Sequence, residues 1–418
     1  MRKISTVFLI LLLAVSLLFG AEQINLRFPN WMFTEPGVMD WFYDGIAEFE
    51  ALNPGIKVVP VVIPPGNYED KLITEIAAGI IPDVFPVFTN MMPKLINLGI
   101  LEPLDKWLDK TDWKDDLIKL QDAAVKDGVT YGVALTGSPH GLTVNKKLLE
   151  EAGVEKIPNT PEELLEAAKL VKEKTGKFGF AFTNSSTEPL FMYIYAMHWV
   201  LGYGSDFSTA EGVPIINDPK NVEAISYMYK FYEEGLVPKG VDTITMRRMF
   251  WNGEIAMMID GPYTMTHIKA EMPDVYENFT YVEPPTPTHA AITGGAFWTI
   301  PARSKHKEEA WKLIEFFNSK EYQTRWVEDT MQIAGQVVET TPEFNAKHPW
   351  FANMLDIAKR YGAGFGYAPP GLEVFANEFR NIVADHLGDL YSGRKTVKQA
   401  LDEAQAEAEA WLDDMMLF

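Results

Sequence analysis

Apolar positions after residue 22 follow two periods that alternate along the chain. Short apolar runs with β-branched and aromatic residues predict strands, and each is followed by a stretch with helical spacing. The first three predicted strands and the helices that follow them are 24–28 with 41–51, 57–63 with 68–78, and 83–88 with 91–98. Strands that alternate with helices are typical of an α/β protein with mainly parallel sheets covered by helices.

Later segments carry clear start and stop signals. Residues 161–175 predict a helix, because Thr160 can cap it, Pro161 suits its first turn, Glu163 completes a capping box and Gly176 ends it. Further helices are predicted in the aromatic-rich block 186–234 and in the acidic amphipathic segment 396–415. The loop 283–291, EPPTPTHAA, is the best candidate for a chain crossing between two lobes.

The N-terminus has the pattern of a secretory signal peptide. Arg2 and Lys3 precede an apolar run from Ile4 to Phe19, and small residues follow it. This run is shorter than the roughly 20 residues of a membrane-spanning helix. We therefore expect export and cleavage near residue 21. The chain has no cysteine, which excludes disulfides and a lipoprotein anchor, so a periplasm is the expected location.

The length and net charge of the chain indicate how many lobes it forms and which binding partners are disfavoured. About 400 residues remain after cleavage, more than one hydrophobic core usually supports, so two lobes are expected. The formal net charge of −21 disfavours binding to nucleic acid and to anionic membranes.

Short segments with recognisable motifs lie at 49–58, 76–85, 99–105, 128–132, 145–153, 250–263, 294–321 and 393–402. In this order they resemble those of bacterial extracellular solute-binding proteins of family 1. This family supplies the sugar-binding subunits of ABC importers. Each motif is weak alone, and their order and spacing make the resemblance specific.

The resemblance implies a two-lobed periplasmic-binding-protein fold, type II-like, with the ligand closed between α/β lobes by hinge bending. It predicts a division into five ranges. These are the signal peptide at 1–21, lobe 1 at 22–136, lobe 2 at 137–293, a return to lobe 1 at 294–338, and a helical part of lobe 2 at 339–418.

A sugar site needs flat rings against C–H faces and polar groups for the hydroxyls. Polar and aromatic residues just after predicted strands are therefore our candidate ligand contacts. Asp260-Gly261-Pro262-Tyr263 is the sharpest case, because the strand 255–259 ends there and Tyr263 would begin the next helix. The candidates are Trp31, Glu35, Asn90, Ser138, His140, Asn184, Glu188, Asp260, Tyr263, Gly295, Phe297, Trp298, Tyr367 and Arg380.

Two of these predictions carry a condition. Phe297 and Trp298 would point to opposite faces of an extended strand, so at most one of them faces the cleft. Arg325 and Arg360 become candidates only for an acidic ligand.

The expected function is capture of a carbohydrate, of di- or oligosaccharide size, and its delivery to an ABC permease. We expect no cofactor, no metal and no nucleic acid, and a monomeric protein. An exported glycosidase or lyase is the alternative, although no carboxylate pair stands in a recognisable acid–base context. The seven histidines show no metal-ligand spacing. A binder of another solute, such as glycerol phosphate or a polyamine, also stays open.

Overall fold

The structure is a computed structural model that describes residues 23–64, 67–361 and 368–416. The predicted signal peptide at 1–21 lies outside these residues. No helix within the described ranges has the length and apolar character needed to cross a membrane.

Twelve strands are described. Their bounds are β1 Ile24–Asn30, β2 Ile56–Val62, β3 Phe85–Phe88, β4 Val125–Lys126, β5 Val129–Thr130, β6 Val133–Pro139, β7 Gly141–Asn145, β8 Phe178–Ala181, β9 Ile255–Asp260, β10 Phe279–Val282, β11 Thr293–Thr299 and β12 Ile333–Ala334.

Sixteen α-helices surround them in the same ranges. They are α1 Met39–Leu52, α2 Tyr68–Ala77, α3 Met92–Asn97, α4 Asp105–Leu108, α5 Lys146–Glu151, α6 Pro161–Thr175, α7 Pro189–Gly202, α8 Pro219–Glu233, α9 Thr243–Trp251, α10 Tyr263–Glu271, α11 Lys307–Phe317, α12 Lys320–Thr330, α13 Pro342–Lys347, α14 Phe351–Tyr361, α15 Ala376–Tyr391 and α16 Val397–Met416.

The strands form two main sheets, one in each lobe. The lobe 1 sheet has the order β12-β6-β11-β3, with the β1-β2 pair packed beside β3, and the lobe 2 sheet has the order β10-β7-β9-β8. Two α/β lobes are therefore present, as the resemblance implied.

The expectation of mainly parallel sheets is wrong. Among the described pairs, β1-β2 and β8-β9 are parallel. The pairs β10-β7, β11-β3, β11-β6 and β7-β9 are antiparallel. The cause is the route of the chain. A helical crossover within one lobe gives parallel neighbours, whereas a strand that returns from the other lobe runs against the strand that left.

The chain changes sheets between β6 and β7, at His140, and again between β10 and β11. A hydrogen bond from the His140 amide to the Ile292 carbonyl oxygen, 2.7 Å long, joins these two crossings. The division into five ranges stays a prediction.

Each lobe has an aromatic core. In lobe 1, α1 places Trp41 and Phe42 against Phe317 and Trp326, and Trp298 stacks on Phe317 with ring centroids 5.4 Å apart. In lobe 2, the rings of Phe180, Trp199 and Phe231 pack together. Helices α15 and α16 cover α7 and α8 there. Burial of these rings stabilises each lobe separately.

Thr160 and Gly176 cap α6 as predicted, but Glu163 binds the Asn159 amide, one residue before the Thr160 amide that a capping box would use. The Glu163 amide donates to the Thr160 hydroxyl at 3.2 Å, and the Glu163 carboxylate accepts from the Asn159 amide at 2.9 Å. Gly176 follows the helix with φ 72°, a left-handed conformation that favours glycine.

Candidate functional site

Loops from both lobes converge beside the crossing at His140. Lobe 1 contributes the loop after β1 and the short 3-10 helix Thr89–Met91 after β3. Lobe 2 contributes the end of β9 and the middle of α9. Ligands of α/β sheets bind beyond the carboxyl ends of the strands, so these strand ends are the expected place for a site.

The space between these loops is the candidate cleft, and the side that each lobe contributes is called its wall. The lobe 2 wall centres on an ion pair between Arg247 in α9 and Asp260 at the end of β9. Arg247 donates from Nε to Asp260 Oδ2 at 2.6 Å and from Nη2 to Oδ1 at 2.9 Å. The Tyr263 hydroxyl donates to Asp260 Oδ1 at 2.5 Å and accepts from Arg247 Nη2 at 2.7 Å. This bidentate geometry fixes the guanidinium in one orientation.

The local turn explains the position of Tyr263. The Gly261 amide donates to Asp260 Oδ1 at 2.8 Å, and α10 begins at Tyr263. A Cβ at position 261 would lie 2.2 Å from the Tyr263 ring, so only glycine fits there.

The charge state of this wall follows from burial and pairing. Burial raises the pKa of Asp260, but the charge and hydrogen bonds of Arg247 outweigh it and hold that pKa at about 2. The guanidinium stays charged, because the attraction of Asp260 outweighs the desolvation that would lower its pKa. Within the described ranges, Nη1 of Arg247 has no hydrogen-bond partner.

The lobe 1 wall carries aromatic rings and one carboxyl group. Trp31 is buried and stacks on Phe88, with centroids 3.8 Å apart and ring planes 25° apart. Phe88 is partly exposed. Glu35 follows the 3-10 helix Met32–Thr34.

The Glu35 carboxyl is the unusual group of this wall. Its side chain has no hydrogen bond or ion pair to any described residue, although it is partly buried. Burial raises the pKa of Glu35 from 4.5 to about 7, against the lowering effect of the Arg247 charge. Arg247 therefore acts on Glu35 across the cleft. A partly buried carboxyl without a protein partner is suited to bind a ligand hydroxyl.

At the crossing, His140 and His198 form a buried pair, with Nδ1 of His140 2.9 Å from Nε2 of His198. Burial lowers the pKa of His140 to about 4 and also lowers that of His198. Both rings are therefore neutral near pH 7, and the pair is better suited to hold the crossing than to bind a ligand. The Ser138 hydroxyl is buried with no hydrogen-bond partner among the described residues.

Asn184 and Glu188 are hydrogen-bonded to protein groups, and their contact with a ligand stays a prediction. The Glu188 carboxylate accepts from the Thr243 amide at 2.8 Å and from its hydroxyl at 2.7 Å. Asn184 donates to the Pro238 carbonyl oxygen at 3.0 Å and accepts from the Gly240 amide at 2.6 Å. Glu188 therefore holds the first residue of α9, the helix that carries Arg247, and Asn184 holds the loop before it.

Phe297 and Trp298 both lie in the core of lobe 1, with no exposed surface. The expectation that they contact a ligand is therefore not supported, because both faces of β11 are covered and a bulge interrupts its alternation. Gly295 has a packing role, since a Cβ there would lie 2.2 Å from the Thr136 carbonyl oxygen.

The remaining candidates differ in position. Asn90 is partly exposed on the lobe 1 wall. Arg380 is buried in lobe 2, where its Nε donates to the Ala376 carbonyl oxygen at 2.9 Å. Tyr367 lies outside the described residues. Arg325 pairs with Glu48 on the outside of lobe 1, and Arg360 pairs with Glu283.

Arg247 and Phe88 are the residues that sequence reasoning missed. Arg247 lies in the middle of a helix, where no strand end points to a cleft. Phe88 is the last residue of β3, two positions before Asn90, so the rule of looking at strand ends could have selected it. Among the described residues, no cluster of three or more His, Asp or Glu side chains could hold a metal ion.

Two α/β lobes that enclose a polar cleft beside their crossings define a two-lobed ligand-capture protein. The chain belongs to the bacterial extracellular solute-binding protein family, whose model matches residues 34–324.

Individual relatives agree with this membership. The chain is 29% identical over 375 residues to a binding protein of Brucella abortus. This alignment covers 87% of this chain and 88% of the relative. It is 25% identical over 310 residues to the diacetylchitobiose binding protein DasA of Streptomyces coelicolor, covering 70% and 69% of the two chains.

A solved structure shows the same fold. The maltose-bound MalE3 of T. maritima superimposes with a TM-score of 0.82 at 20% identity, and the match covers 93% of this chain and 100% of that one.

Proposed function

We propose that this chain is the substrate-binding subunit of an ABC importer for a carbohydrate of di- or oligosaccharide size. It captures the sugar between its lobes and presents it to the membrane permease as a monomer. The placement of Glu35 and Arg247 on opposite lobes, close enough for the Arg247 charge to act on the Glu35 carboxyl, carries this proposal. Related proteins named for diacetylchitobiose and maltotriose support it.

Each group on the two walls suits one feature of a sugar. The partly exposed ring of Phe88, backed by Trp31, offers an apolar face for C–H groups. Nη1 of Arg247 can donate to a hydroxyl oxygen, and Glu35 can accept from or donate to a hydroxyl according to its protonation. Asp260 is buried and accepts hydrogen bonds at both oxygens, so it positions Arg247 without touching the ligand.

The occupied oxygens of Asp260 also argue against a glycosidase. Such an enzyme needs two carboxyl groups that reach the substrate, one as acid and one as nucleophile or base. Glu35 is available, but Asp260 is buried and held by Arg247, Tyr263 and the Gly261 amide. For a phosphorylated solute, the charge of Arg247 is already neutralised by Asp260, so a neutral sugar fits this wall better.

The test is a thermal-shift screen of the purified chain that begins at residue 22. The panel contains neutral and acidic mono-, di- and oligosaccharides, with glycerol phosphate and a polyamine as non-sugar comparators. A ligand at 100 times its dissociation constant adds about 2.7 kcal/mol of stability, which a shift in Tm reports clearly.

The outcomes separate the possibilities. A shift with a sugar that is recovered intact supports the proposal and identifies the ligand class. A shift only with a comparator contradicts the sugar assignment, and conversion of the sugar to products contradicts the binding function. Export to a periplasm is tested separately, by N-terminal sequencing of the mature protein from a periplasmic extract, with Ala21 or Glu22 expected as its first residue.

A further inference from the structure

The loop that carries Glu35 and the helix that begins at Tyr263 meet at a single close contact. Gly37, two residues after Glu35, has φ +77°, and an ideal Cβ built on it lies 2.9 Å from Cγ2 of Thr266 and 3.3 Å from Cβ of Ala270. Thr266 and Ala270 are four residues apart, so they lie on the same face of α10.

This contact joins the two lobes. Gly37 lies in lobe 1 between β1 and α1, whereas α10 connects β9 to β10 of the lobe 2 sheet. The Thr266 hydroxyl also donates to the Thr330 carbonyl oxygen, at the end of α12 in lobe 1. The face of α10 around Thr266 is therefore packed against lobe 1 at two points.

The position of this contact links it to the width of the cleft. Glu35 lies on the short segment before Gly37, and Tyr263 is the first residue of the rigid helix that Gly37 touches. Any increase in the distance between Gly37 and α10 therefore moves the two walls of the cleft apart. A Cβ at position 37 would force the loop or α10 to shift, since real Cβ atoms essentially never lie within 3.0 Å of another heavy atom.

We infer that Gly37 is a positioning residue that sets the separation of the two lobes in this arrangement, and thereby ligand affinity, without contacting the ligand. The inference rests on the proposed function only where affinity is measured, and lobe closure can be measured without knowledge of the ligand.

The central variant is Gly37→Ala, and the chain offers a matched control. Gly79 has a similar left-handed φ of +83°, but its ideal Cβ has no heavy atom within 4 Å. Gly79→Ala therefore reproduces the backbone strain without the collision. Thr266→Ser removes the methyl that a Cβ at position 37 would strike and keeps the hydroxyl that binds the Thr330 oxygen.

Affinity for the sugar found in the screen is measured by calorimetry, with Tm as a check on folding. We expect Gly37→Ala to weaken binding about tenfold or more, and Gly79→Ala to change it less than about twofold, although both lower Tm. Adding Thr266→Ser to Gly37→Ala is expected to restore most of the lost affinity. Equal affinities of the two alanine variants, or no rescue by Thr266→Ser, would overturn the inference.

Closure is followed in the same variants with spin labels on two introduced cysteines, since the natural chain has none. Leu52 in lobe 1 and Lys156 in lobe 2 are suitable sites, because their exposed fractions are 71% for the residue and 75% for the side chain. Gly37→Ala is expected to lengthen the distance between the labels, and the Thr266→Ser double variant to shorten it again. An unchanged distance between the labels would overturn the inference, whether or not a sugar binds. If no sugar binds the natural protein, that result contradicts only the proposed function.

Discussion

Replacement of Asp260 by Asn tests whether the buried ion pair organises the lobe 2 wall. The substitution keeps the shape of the side chain but removes the charge that compensates Arg247. The pKa of Asp260 is about 2 against an ordinary 3.8, which corresponds to about 2 kcal/mol of stabilisation above pH 4. Removing one partner of a buried pair costs more, because the other charge is left uncompensated. We therefore expect Asp260→Asn to lower the free energy of unfolding by about 3 kcal/mol at pH 7.

The pH dependence supplies a second, independent signature. A carboxyl whose folded pKa is depressed stabilises the protein above its unfolded pKa, and this stabilisation is lost as the pH falls toward the folded pKa. The natural protein should therefore lose its advantage over Asp260→Asn between about pH 4 and pH 2.

Urea denaturation followed by circular dichroism, at pH 7 and at several acidic pH values, measures both effects. Asp402→Asn is the matched control, because Asp402 pairs with Lys398 on an exposed helix surface, and we expect no measurable loss there. A loss below about 1 kcal/mol for Asp260→Asn at pH 7, or a loss that does not change in acid, would refute the reasoning.

Three further predictions concern ligand binding. Burial raises the pKa of Glu35 to about 7 in the described arrangement of the lobes, so closure on a ligand should favour the protonated carboxyl. Affinity should therefore fall as the pH rises from about 4.5 to about 7, and calorimetry of Glu35→Gln should show this dependence removed. Phe88→Ala should weaken binding by about 1–3 kcal/mol with little change in Tm, because its ring is the exposed member of the stack with Trp31. Unchanged affinity would show that Phe88 does not belong to the site. Tyr263→Phe removes the hydroxyl that bridges Asp260 and Arg247 and should cost about 1 kcal/mol of affinity. An equal effect of Tyr263→Phe and Tyr263→Ala would show that the ring itself contributes nothing to binding.

Local patterns in the sequence determined the class of elements and several of their ends. The caps of α6 follow from Thr160, Glu163 and Gly176, because each of these residues acts on backbone groups within its own turn. The strand β9 and the turn at Gly261 followed in the same way, and they place Tyr263 at the start of α10. Each of these features depends on contacts between residues close together in the chain.

Tertiary structure alone decided which strand-end residues face the cleft. Asn184 and Glu188 follow β8, as a binding loop would, yet Asn184 is hydrogen-bonded to the loop before α9 and Glu188 to Thr243, the first residue of α9. Trp298 could not be assigned to the core by alternation, because helices cover both faces of its sheet.

The meeting of Glu35 and Arg247 shows the same limit most clearly. They are more than 200 positions apart in the chain, on different lobes, and Arg247 lies inside a helix with no local mark of function. Their relation depends on how the crossings at His140 and Ile292 orient the two lobes. The sequence by itself therefore determined two α/β lobes and the turns at their strand ends. Only the tertiary structure decided the walls of the cleft, because the separation between lobes is set by packing between residues distant in the chain.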